Sequence, residues 1–160
     1  MGIRRQAREL VLKVLFHIEY NPGDPDEAFE LICEHFGASI ETRSFAKELI
    51  LGICENIKDI DETISKASRN WRLERMSHVD RNLLRIGAFE IIYREDIPPK
   101  VSINEAVELG KKYGQVDSAA FVNGILDNIF KRAQAVIKSG NSIDKECKLD
   151  IQTNGGHDIL

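Results

Sequence analysis

Apolar residues recur every three or four positions along most of the chain, and alternating apolar and polar runs between turn residues are missing, so the pattern predicts an all-α fold. Ala7, Leu10, Val11, Val14, Leu15 and Ile18 share one face of a helix predicted from Arg4 to Tyr20, which Asn21-Pro22-Gly23-Asp24 stops. Asp24 then offers a capping oxygen, Pro25 suits the first helical position and Glu27 completes a capping-box spacing, predicting a second helix through Phe36 that Gly37 closes. A third helix is expected from about Thr42 to Ile57 and a shorter fourth from Ile60 to about Arg69, with Trp71 expected to anchor the crossing between the halves.

Ser77 and Asp80 are spaced as a capping box before Val79, Leu83, Leu84, Ile86, Phe89, Ile92 and Tyr93, a strongly apolar helix suited to a central position. Ile97-Pro98-Pro99 terminates it, because the proline ring disfavours helix for the residue before it. A second capping box, Ser102 with Glu105, predicts a helix ending at Tyr113-Gly114 with a left-handed glycine cap. Asp117 is expected to cap a last helix through Val122, Ile125, Leu126, Ile129 and Phe130 to about Arg132. The expected architecture is about seven helices in two packed bundles, about residues 1–70 and 71–138, with the helix around Leu84 between them. Residues 139–160 are polar and glycine-containing without sustained apolar period, and are expected to be disordered.

Composition narrows the function classes. With 160 residues and 42% apolar content the chain can build one substantial core, and despite 30% charged residues no apolar run approaches a membrane span, so a soluble protein is expected. The start, Met-Gly-Ile-Arg-Arg-Gln-Ala-Arg, has no uncharged apolar block or cleavage site, and Gln6 stands where a myristoylation pattern wants Ser or Thr, which points to the cytoplasm. Cys33, Cys54 and Cys147 are odd in number and widely spaced, so no disulfide frame or metal site is expected, and Cys33 and Cys54 read as small buried hydrophobes. The phosphate-loop, nucleophile-elbow and zinc-helix motifs are missing, and His17, His35, His78 and His157 are scattered, so no catalytic residue and no cofactor is expected. A net charge of −4 excludes coating of nucleic acid through bulk charge; any such binding needs a local basic patch.

Arg4, Arg5 and Arg8, with Lys13 beyond, form such a patch at a helix N-terminus, where cations oppose the helix dipole. Guanidinium forks suit phosphates and can stack on unpaired bases, although a solvated helix end would carry the same residues. Leu12 and Phe16 fall off the core face of helix 1, on the side of Arg5; either a partner covers them or the helix lies between two layers and buries both faces. Phe121 flanks the core direction of the last helix, where it can stack on a base or sit at the core's edge, and Lys111 and Lys112 lie just upstream.

Four blocks resemble the NusB family in order and spacing: Arg-Arg-Gln-Ala-Arg-Glu at 4–9, Leu-Arg-Ile-Gly-Ala-Phe-Glu-Ile at 84–91, Ile-Pro-Pro-Lys-Val-Ser-Ile-Asn-Glu-Ala-Val-Glu-Leu at 97–109 and Phe-Val-Asn-Gly-Ile-Leu-Asp at 121–127. The resemblance implies a helical transcription antitermination factor that binds boxA RNA of nascent ribosomal RNA together with NusE, a small-subunit ribosomal protein, within the RNA polymerase antitermination complex. It places RNA contacts on Arg4, Arg5 and Arg8, with Gln6 interrupting the family's arginine run, and on Asp117 and Phe121. It places NusE contacts on Phe16, where relatives often carry tyrosine, and Asp80, where they often carry glutamate. Monomeric and homodimeric states both fit. Two rivals stand beside it: the accessory domain of a ribosomal RNA methyltransferase, for which no methyl-donor-binding unit is seen here, and a helical scaffold that binds protein without RNA specificity.

Overall fold

The structure, a computed structural model, describes residues 2–69 and 71–139; Cys147, His157 and the expected tail beyond Ser139 lie outside the described residues. These residues form seven α-helices and one 3-10 turn, and no strand occurs among them. The described residues belong to two units, one within 1–130 and one from Lys131 onward, of which the described part is the C-terminal turns of the last helix.

Helix α1 spans Ile3–Tyr20 and α2 spans Pro25–Phe36. The Asp24 carboxylate accepts a hydrogen bond from the Asp26 N–H at 3.2 Å, Pro25 opens the helix, and Gly37 closes it at φ 60, the left-handed conformation that glycine adopts without strain. Helix α3 runs over Ile40–Glu55, two residues earlier than the periodicity suggested, because the Ser39 hydroxyl accepts from the Thr42 N–H at 3.2 Å and caps it. Helix α4, Ile57–Ala67, follows without a loop. A 3-10 turn at Leu73–Arg75 leads to α5, His78–Tyr93, capped by Ser77, whose hydroxyl accepts from the Asp80 N–H at 3.1 Å.

Helix α6 spans Pro99–Tyr113 and α7 Ser118–Lys138. Ser102 does not cap α6; the helix starts a turn earlier on Pro99, and the buried Ser102 hydroxyl donates to Glu90 at 2.9 Å. Gly114 is not left-handed either: its φ of −92 is ordinary, and glycine is needed because a Cβ there would stand 2.5 Å from the Ser118 Cβ. Helix α7 ends six residues beyond the apolar period, at Lys138 rather than Arg132.

Helix α1 packs on α2, α3 and α5, and α5 also packs on α3, α4 and α6, so these two helices are the spine of unit 1. Ala7 through Leu12, with Val14 and Leu15, are all buried, a run that covers nearly the whole circumference of α1. Between two layers a helix must bury both faces, and this is the alternative that Leu12 follows. Gly87 lets α7 approach α5: a Cβ there would lie 2.6 Å from a Leu126 methyl. Trp71 is not the buried anchor the sequence suggested; it is 59% exposed. Among the described residues no helix is long and apolar enough to cross a membrane.

Candidate nucleic-acid interface

The arginines adjacent in sequence separate in space. Arg8, at 3% exposure, points inward and grips Glu90 of α5 with both edges of its fork, Nε to Oε2 at 2.8 Å and Nη2 to Oε1 at 2.7 Å. Glu90 is itself 1% exposed, so the pair is a buried ionic clasp between α1 and α5, completed by Ser102. Arg8 is therefore not presented to a ligand in this arrangement.

Arg5 lies at the surface, 41% exposed, and makes the same two-point contact with Glu105 of α6 at 2.8 and 2.9 Å. The Arg5 hydrogen bond and charge outweigh burial and hold the Glu105 carboxyl below the usual carboxylate range. Arg4 is looser: its guanidinium sits 5.0 Å from the Phe45 ring centre and 3.9 Å from Asp96. Asp96 is gripped from the other side by Arg94, which, despite some desolvation, lowers its carboxyl to about 2.

Helix α6 brings Lys112 to the same side, 2.6 Å from the buried Glu9 of α1, while Lys111 pairs with Glu108 at 3.0 Å. Arg5, Lys111 and Lys112 thus form one basic surface along α1 and α6, with each cation answered by a carboxylate. Lys13 instead lies 3.9 Å from the centre of the Phe36 ring. The ion-pair roles of Glu9, Glu90 and Glu105 escaped the sequence reading because their partners stand 82 to 103 residues away.

At the start of α7 the Asp117 carbonyl accepts from the Phe121 N–H at 3.0 Å, and the exposed Asp117 carboxylate stays at the surface. Phe121 is half-buried and meets Trp71 edge-on, ring centres 5.7 Å apart and planes at 83°. The more open aromatic of the pair is Trp71.

A separate face is built around Phe16, 40% exposed, which with Tyr20 and His78 forms a triangle of rings 4.8 to 5.9 Å apart. Beside it Leu12, Lys13, Phe16, Val79 and Tyr113 line an apolar groove of about 250 Å³, with buried Leu12 contributing its wall. Asp80 lies in the first turn of α5, next to His78. Beneath the face Glu19 pairs with His78, Arg81 and Arg85, at 3.0 Å and 2.8 Å from the two arginines. Burial pushes the Glu19 carboxyl up, but these hydrogen bonds and charges win and bring it to about 2.

Burial raises both the Cys33 and the Cys54 thiol, and both cysteines are free. No group of side chains able to hold a metal occurs among the described residues.

Comparison with known proteins joins these surfaces to a family. The model described as "NusB family" matches residues 5–131. A transcription antitermination protein NusB of Desulforamulus reducens is 48% identical over 126 residues, covering 79% of this chain and 88% of that protein. Among solved structures, T. maritima NusB superposes with a TM-score of 0.75 at 41% identity, covering 80% of this chain and 90% of that one. A chain from a crystal structure of the antitermination factors NusB and NusE in complex with dsRNA gives a TM-score of 0.76 at 30% identity, covering 82% and 98%.

Proposed function

The chain belongs to the NusB family, and from that premise we propose that it is a transcription antitermination factor that binds boxA RNA of nascent ribosomal RNA together with NusE and promotes processive rRNA transcription. The observation that carries this reading is the likeness, over nearly the full length of the relative, to a protein solved with NusE and RNA. The chain works as a non-enzymatic, cytoplasmic adaptor within the RNA polymerase antitermination complex.

In this reading Arg4 and Arg5 of α1, with Lys111 and Lys112 of α6, meet the RNA backbone, and Phe121 lies under an unpaired base beside Asp117. Arg8 serves the same surface from inside by fixing the start of α1 to α5 through Glu90. NusE docks on Phe16 and the neighbouring groove walled by Leu12, with Asp80 as a charged contact. One Asp80 carboxyl oxygen is buried without a donor among the described residues, so any contact to NusE falls to the rest of that carboxylate.

Because carboxylates already answer these cations, RNA must displace or share them, and the chain alone should bind weakly. About three or four phosphates met on a single strand would give a salt slope near −2 to −3. NusE tightens the complex by joining two partial surfaces on one strand. The test is fluorescence anisotropy of labelled boxA RNA against a scrambled RNA, with and without NusE. Preference for boxA that NusE strengthens supports the reading. Equal binding of both RNAs in the presence of NusE would leave the protein-binding scaffold as the better account, a reading the charge-compensated patch favours.

A further inference from the structure

The segment around Trp71 carries cations that no carboxylate among the described residues answers, unlike the arginines of α1. Arg69, Arg72 and Arg75 take part in no ion pair or side-chain hydrogen bond among the described residues, against a single carboxylate, Glu74, in the same stretch. Between them the indole is mostly exposed, and its edge-on contact with Phe121 can occupy at most one of its two faces. Ser68, Arg69, Trp71, Arg72 and Glu74 are among the residues lining an open cleft of about 500 Å³.

The platform is held in place from three directions. The Ser68 hydroxyl donates to the Ile64 carbonyl at 2.7 Å and the Trp71 carbonyl at 3.3 Å. Asn128 of α7 donates to the Ala67 carbonyl at 2.8 Å, and Arg81 of α5 donates to the Leu73 carbonyl at 3.1 Å. A large exposed ring on a tethered backbone gives up little freedom on binding, which favours a recognition role over a chance exposure.

We propose that Trp71, Arg69 and Arg72 form a second contact for single-stranded RNA, in which an unpaired base stacks on the indole and the two guanidinium groups meet the flanking phosphates. An exposed planar ring flanked by unanswered cations is the arrangement that grips a single strand, whose bases have free faces; a duplex keeps its bases stacked inside. The contact adjoins Phe121, so one strand can run from the α7 ring to the indole. This inference rests on the RNA reading above and extends it to residues outside α1 and α6.

The chain has one tryptophan, so its fluorescence reports this site alone. Single-stranded boxA RNA is titrated into the full chain, alone and with NusE, following Trp71 emission and the anisotropy of labelled RNA in parallel. Emission should be quenched as RNA saturates. Trp71→Ala should weaken RNA binding roughly 5- to 150-fold, the span of base stacking on an aromatic, while Trp71→Phe stays within about threefold of the parent. Arg69→Ala with Arg72→Ala should weaken binding and make it less salt-dependent. Unchanged emission at full RNA saturation, with Trp71→Ala binding as the parent does, would overturn the inference and leave the RNA reading standing. Loss of NusE binding with RNA affinity intact would assign the surface to protein and overturn it too. Failure of the parent chain to bind RNA even with NusE would sink both readings together.

Discussion

Two basic regions of this molecule are built in opposite ways. On α1 three arginines stand together in sequence, yet folding hands Arg8 to Glu90, Arg5 to Glu105 and sets Arg4 near Asp96. Around Trp71 three arginines are spread through an irregular segment, and no carboxylate among the described residues claims them. Charge counted along a chain is therefore a poor guide to charge available at a surface. What decides is whether an acid on another helix can reach each cation, and that is set by packing. The first region holds the fold together and offers RNA a surface already half satisfied; the second contributes little to the core and stays open.

The sharpest way to break this contrast is to remove one partner of the buried clasp. Arg8→Ala or Glu90→Ala should cost about 3–5 kcal/mol in denaturant unfolding, because an uncompensated charge is left in the core. Replacing both by apolar residues of similar size should recover most of the loss. If either single change is nearly neutral, the clasp is not the structural element described here.

Acid comes next. The Glu19 carboxyl is held at about 2 in the folded chain, below the ordinary 4.5. A depressed folded value contributes stability that is fully present above the unfolded value and lost as pH falls through the folded one. Stability should therefore decline between about pH 4.5 and 2, and Glu19→Gln should flatten that decline in unfolding measured across the window. An identical profile for parent and variant would remove Glu19 from the account.

Smaller effects belong to the surface. Glu105→Gln weakens the hold on Arg5 and removes a negative charge beside the RNA path, so RNA affinity should rise, by up to about fivefold, since an ion pair with one partner at the surface is worth roughly 1 kcal/mol or less. A fall in affinity would mean instead that Glu105 positions the fork of Arg5. Smallest of all, Arg4→Ala should alter stability by less than about 1 kcal/mol, its ion pair being long and exposed.

The helices were legible in the sequence where an apolar stripe and a cap coincide. Asp24 with Pro25, Gly37 and Ser77 sit where the pattern set them, because those caps act within a few residues of the chain. Ser102 misled, since the same serine can cap a helix or reach across to a buried glutamate, and only packing chooses. Gly114 carried a real constraint for a different reason, the nearness of Ser118. The family blocks were readable, and the Gly87 within one of them now has a cause in the approach of Leu126. The partners of the arginines were not readable at all, for Glu90 and Glu105 lie on helices distant in sequence. Trp71 was misjudged because a large aromatic usually signals a core, and nothing local shows that α4 ends with its next turn facing solvent.

The most direct test of the central claim compares salt slopes of boxA RNA binding, in the presence of NusE, for the parent chain, Arg4→Ala with Arg5→Ala, and Arg69→Ala with Arg72→Ala. Each double variant meets two fewer phosphates, which should make its slope shallower by about 1.4, at roughly 0.7 per phosphate on a single strand. Slopes equal to that of the parent in both double variants would contradict the account, because RNA would then be held by neither region.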